Sequence, residues 1–205
     1  MNLNFFRLDP QSNPQLTRPF NGFISAAASQ GSASLFKDAL LVSGFALLTA
    51  LAAQIKVPLP FTPVPMTLQT LVVVFAGMLL GAKRGALSQI LYLVAGLAGA
   101  PFFATTAGLA FLARPTAGYL IGFIPSALLA GVLMGQKPQQ KGFLSLWITA
   151  FVASLPCLFL GAAWLKVWSN HSWTMALSLG VAPFLVGDLV KTTAAATMIA
   201  LIRRK

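Results

Sequence analysis

Residues 182–191 read Ala182-Pro183-Phe184-Leu185-Val186-Gly187-Asp188-Leu189-Val190-Lys191, an apolar run broken by one acid and one base. At a spacing of i,i+3 the two ionisable side chains share one helical face and can pair or grip one ligand together. A charge inside a bilayer costs at least a few kcal/mol and turns toward a bundle interior or a polar cavity. The run therefore reads as the last helix of a membrane bundle, with Asp188 and Lys191 as the first candidates for a binding site. A purely structural ion pair between helices is the alternative.

Composition supports the membrane reading. Of 205 residues, 57% are hydrophobic and 8% charged, with a mean hydropathy of +0.81, outside the ordinary soluble range. The length accommodates about six spans of roughly 20 residues each. The net charge of +11 does not point to nucleic acid, because the lysines and arginines fall between apolar segments, as topology signals do. Membrane lipids are the expected surroundings. Cys157 has no disulfide partner, and the lone His171 cannot build a metal site. The chain contains no glutamate and shows no phosphate loop, nucleophile–base pair or carboxylate dyad. No cofactor and no catalytic residue is expected.

The first 35 residues differ, being rich in Asn, Gln, Ser and Pro. They lack the continuous apolar core of a secretory signal and read as a polar, partly ordered cytoplasmic tail. Phe5, Phe6, Phe20 and Phe23 would let part of it rest on the membrane surface. Residues 36–205 then form the membrane domain. Its apolar runs give six spans at about 37–57, 66–82, 85–103, 116–135, 143–167 and 183–202, with a short interfacial helix at 174–181. The predicted fold is an all-α bundle of six transmembrane helices.

Charge counting sets the orientation. With the N-terminus inside, Arg7, Arg18, Lys37, Lys83, Arg84, Lys137, Lys141, Arg203, Arg204 and Lys205 are cytoplasmic. Only Lys56, Arg114 and Lys166 lie outside, which satisfies the positive-inside rule and places both termini in the cytoplasm. Asp188 then lies about 7–8 Å below the outer end of the last span at 1.5 Å per residue. The site opens outward, as uptake requires.

Three segments crowd that outer face: the proline-rich residues 57–65, the stretch 101–115 with Thr105, Thr106 and Arg114, and the turn 166–173 with its tryptophans. Alternating prolines stiffen the first into an extended, lid-like strap, while an aromatic belt accounts for Trp164, Trp168 and Trp173. Small-residue pairs, Gly77-x3-Gly81, Gly118-x3-Gly122 and Gly131-x3-Gly135, allow close helix contacts. On the first helix Ala46, Ala50 and Ala53 form a smooth face that suits packing within the bundle or docking of another membrane subunit.

The run Val57-Pro58-Leu59-Pro60-Phe61-Thr62-Pro63-Val64-Pro65-Met66-Thr67-Leu68-Gln69-Thr70-Leu71 resembles the signature of the BioY family, the biotin-binding S components of energy-coupling factor (ECF) vitamin transporters. Arg114-Pro115-Thr116-Ala117-Gly118-Tyr119 resembles its Gly-Pro-Thr-Gly-Gly-Tyr segment, and Pro183-Phe184-Leu185-Val186-Gly187-Asp188-Leu189-Val190-Lys191 its Pro-Phe-x-x-Gly-Asp-Leu-x-Lys motif. The likeness runs colinearly over about residues 45–202. Arg114 and Ala117 replace glycines common in the family, and residues 104–106 lack an expected asparagine or glycine.

The resemblance implies high-affinity biotin capture at the cytoplasmic membrane by a transport subunit that is not itself an enzyme. It also implies a transmembrane T component and two cytosolic ATPases as partners, although some members of the family work without dedicated ones. Biotin needs apolar walls, a donor and acceptor for its ureido group, and a cation for its carboxylate. Asp188 suits the ureido N–H groups, and either Lys191 or Arg114 the carboxylate. Gln69, Thr67 and Thr105 would add polar contacts, while Tyr92, Tyr119 and Phe61 would form walls. An S component for thiamine or riboflavin is the nearest rival. A membrane enzyme using Asp188 lacks a second catalytic group, and a channel would need repeated pore-lining polar residues.

Overall fold

Proline and glycine punctuate this chain where its helices begin and end. The computed structural model describes residues 14–105, 107–135 and 142–204, with side chains from residue 33 onward. Helix α1 (Pro14–Gln54) is followed by a two-stranded ribbon, β1 (Lys56–Val57) and β2 (Met66–Thr67). Then come α2 (Gln69–Leu80), α3 (Ala82–Leu97), a 3-10 turn (Leu109–Ala113), α4 (Ala117–Met134), α5 (Phe143–Ser169), α6 (Trp173–Gly180) and α7 (Ala182–Arg203). The chain divides into two units, Met1–Ala39 and Leu40–Lys205, and the apolar core and the cavity belong to the second. Phe5, Phe6, Phe20 and Phe23 lie outside the described side chains, and Lys137 and Lys141 outside the described residues.

Among the described residues four stretches are long and apolar enough to cross a membrane: Ala33–Gln54, Ala117–Met134, Phe143–Ser169 and Trp173–Arg203. The all-helical membrane reading stands. The second and third of the six expected spans come out short. Residues 66–67 pair as a strand, leaving α2 only 12 residues, about 18 Å long. Helix α3 starts at Ala82 and ends at Leu97, because Ala98 caps it and Gly99 adopts φ 105°. At 16 residues it spans about 24 Å, short of a hydrocarbon core of about 30 Å. The polar segment 1–35 also yields a helical backbone from Pro14.

Helix α4 lies at the centre, packed against α2, α3 and α5, while α7 packs on α5 and α2. Close approach explains its glycines: a Cβ on Gly122 would stand 2.7 Å from Cys157 Cα, and one on Gly131 2.4 Å from Ala82 Cα. The expected pairing with a second glycine fails at two places. Gly81 and Gly135 hold φ 84° and 68° and cap helices, with open space where a Cβ would be. Helices α4 and α5 each contain a proline, Pro125 and Pro156. Beside them, Ser126 Oγ accepts the Cys157 backbone N–H at 3.1 Å, tying the two irregular stretches together.

The alanine face of α1 also needs correction. Ala46, Ala50 and Ala53 are 2%, 7% and 0% exposed, and Ala46 and Ala50 join the same apolar core as Val73 and Tyr92. Thr49 completes the stripe, accepting from Gln89 Nε2 at 3.3 Å. The small side chains serve packing inside this chain. The outward face of α1 carries Leu47, Leu48 and Leu51 instead.

Candidate functional site

Asp188 and Lys191 occupy the first half of α7, on the face turned to α2. Both are buried, at 1% and 8% exposure. Lys191 Nζ lies 2.7 Å from Asp188 Oδ1, donates to Thr70 Oγ1 and reaches the Thr67 carbonyl at 3.4 Å. These three acceptors engage all three ammonium protons. Thr70 in turn donates to Asp188 Oδ1 at 3.3 Å. Asp188 Oδ2 is buried without a partner. A carboxylate carries about four lone-pair sites, so this oxygen is an acceptor left open at the edge of a cavity.

The cavity lies between the ribbon, the stretch 103–111, and helices α2, α4, α5 and α7. Asp188, Lys191, Thr67, Gln69 and Thr70 give it one polar end. Val64, Phe103, Phe111, Phe123, Leu158 and Phe184 give apolar walls, with Thr105, Thr116, Tyr119 and Cys157 also on the lining. The Phe103 and Phe111 rings meet at a tilt of 44° with centroids 4.4 Å apart. Tyr119 packs on Phe184 at 5.9 Å and donates to the Gly180 carbonyl at 2.6 Å, pinning the α6–α7 joint.

A relay of hydrogen bonds stiffens the polar end. Thr67 Oγ1 donates to Gln69 Oε1 at 3.0 Å, Gln69 Nε2 to Tyr92 OH at 2.6 Å, and Tyr92 OH to the Phe102 carbonyl at 3.4 Å. With its own donors and acceptors satisfied, a buried amide such as Gln69 is held in one orientation.

Six of the residues expected from sequence line this cavity: Asp188, Lys191, Gln69, Thr67, Thr105 and Tyr119. Three do not. Tyr92 is fully buried behind Gln69 and acts as its support. Phe61 is 59% exposed, because the turn closed by Thr62 N–H on Leu59 O points it outward while Val64 faces in. Arg114 is exposed and off the cavity, and its carbonyl receives the Trp164 indole N–H at 2.9 Å. Sequence reasoning missed Thr70, although it follows Gln69 in the quoted motif. It also missed Phe103, Phe111 and Phe184, which look like ordinary core residues. Among the described residues no cluster could hold a metal ion.

A helical membrane bundle enclosing an apolar pocket with one charged end is a small-molecule binding subunit by architecture. The BioY family model matches residues 23–205, and the chain belongs to that family. It is 36% identical over 167 residues to the probable biotin transporter BioY of Lysinibacillus sphaericus, covering 78% of this chain and 83% of that one. It is likewise 36% identical to the biotin transporter BioY of Thermotoga maritima, covering 78% and 92%. Among solved structures, the S component for biotin from an ECF-type ABC transporter superposes with a TM-score of 0.77. That match has 24% identity and covers 84% of this chain and 94% of the other.

Proposed function

We propose that this chain captures biotin at the outer face of the cytoplasmic membrane, as the substrate-binding S component of an ECF-type vitamin transporter. The observation that carries the reading is the open Asp188 Oδ2, a buried anionic acceptor at the end of an apolar pocket. A ureido N–H supplies the donor that this oxygen lacks, and a bicyclic thioether ring fits aromatic and aliphatic walls. Because Lys191 spends its donors on Asp188, Thr70 and Thr67, its part is to hold the Asp188 side chain in place. Family membership supports the same reading.

Residues 36–205 act as the binding domain, and α2 and α3 pair with the four longer stretches to complete six crossings. Both termini face the cytoplasm, in line with ten cations on that side against three outside. A transmembrane T component and two cytosolic ATPases complete the transporter. Calorimetric titration of the purified chain with biotin, thiamine and riboflavin, without nucleotide, tests the proposal. Binding of biotin alone is expected, and heat from another vitamin but none from biotin would reject it.

A further inference from the structure

On the biotin reading, the ligand brings a carboxylate as well as a ureido group, and among the described residues the cavity lining offers no uncommitted cation to meet it. Lys191 is the only cation among the described residues that line the cavity, and its three donors are already engaged. Arg114 stands off the lining.

The rim supplies a third cation. Lys56 pairs with Thr67 across the antiparallel ribbon, and directly opposed residues project their side chains from the same face, with Cβ atoms about 4.5–5.5 Å apart. Thr67 lines the cavity. From that shared face Lys56 Nζ reaches across to the Ala104 carbonyl at 2.6 Å, and Ala104 and Thr105 are themselves on the cavity lining. The ammonium is thereby held beside the cavity-lining residues Ala104 and Thr67. One N–H is used on Ala104, leaving two. Its hydrogen bond is to a neutral carbonyl rather than to an acid, and Asp188 is committed to Lys191.

We propose that Lys56 receives the ligand's carboxylate at the cavity mouth and makes this site selective for a carboxylate-bearing ligand. The assignment rests on the biotin reading. An ammonium–carboxylate contact is charge-assisted, and at an exposed rim it is screened by salt. Asp188 thus selects the ureido end, buried, and Lys56 the acid end, at the surface.

The test compares biotin with its neutral carboxamide, biotinamide, on the purified full-length chain. Wild type is expected to prefer biotin by about tenfold, the scale of one charge-assisted contact. Lys56→Gln should erase that preference by weakening biotin alone, and Lys56→Arg should keep it. In wild type, added salt should weaken biotin more than biotinamide, a readout that needs no variant. Equal losses for both ligands in Lys56→Gln would reduce Lys56 to a clasp on the Ala104 loop and overturn the assignment. So would unchanged discrimination, or identical salt responses in wild type. A wild-type chain that binds biotinamide but shows no preference also overturns it, while one that binds neither ligand overturns the biotin reading itself.

Discussion

Asp188 concentrates the ligand chemistry in one carboxylate whose two oxygens do different work. Oδ1 is shared by Lys191 and Thr70, and Oδ2 is left open. Asp188→Asn keeps the shape but strips the charge, leaving Lys191 buried and poorly compensated. Biotin binding is expected to weaken by at least about 2–3 kcal/mol, the scale of a charge-assisted hydrogen bond, as read by calorimetry. Thr70→Val is nearly isosteric and removes only the hydroxyl that steadies the pair. It should weaken binding by about 1 kcal/mol, the ordinary net value of one hydrogen bond. A Thr70→Val affinity equal to wild type would make that hydroxyl a bystander. Asp188 and Lys191 stood out in the sequence because ionisable residues are rare in apolar runs. Thr70 did not, because a threonine at the start of an apolar helix has many uninformative explanations.

At the scale of elements, the ribbon and α1 show where pattern reading stops. The proline-rich strap was legible as a stiff segment over the site, since proline fixes its own backbone angle. Which side chains it aims inward was not, because the turn at residues 59–62, which leaves Phe61 outside and Val64 inside, is not specified by the spacing of the prolines. The alanines of α1 were legible as a close-packing stripe, yet a smooth face fits an inner neighbour as well as an outer one. With that stripe buried, Ala50→Trp must force the first helix from its seat against the core. Overpacking of this kind costs typically about 1–3 kcal/mol and often more for so large a change. A lowered melting temperature in detergent and loss of biotin binding together are expected. A variant that binds and melts like wild type would show the stripe to be free for a partner.

For the whole molecule, the open question is which way the bundle stands in the bilayer. The structure provides a convenient background, because Cys157 is the sole cysteine and is 1% exposed. A membrane-impermeant maleimide should leave the wild-type protein unlabelled in intact cells. His171→Cys, in the exposed turn between α5 and α6, should label from outside. Arg204→Cys, exposed beyond α7, should label only after the membrane is breached. The reverse pattern would invert the topology and put the cavity mouth on the cytoplasmic side.

The four tryptophans bear on what light can report. None lines the cavity. Trp147 donates to Thr193, and Trp173 lies under the Lys166 ammonium at 5.4 Å. Trp164 and Trp168 hold consecutive carbonyls, those of Arg114 and Ala113, at the end of the 3-10 turn that carries the wall residue Phe111. A vitamin entering the pocket therefore has no indole to quench by contact. Any change in tryptophan emission on titration must reach the indoles through the groups packed between them and the pocket, and replacing Trp164 and Trp168 with Phe should silence it. Tryptophan emission is thus a gauge of wall movement, not of contact with the ligand.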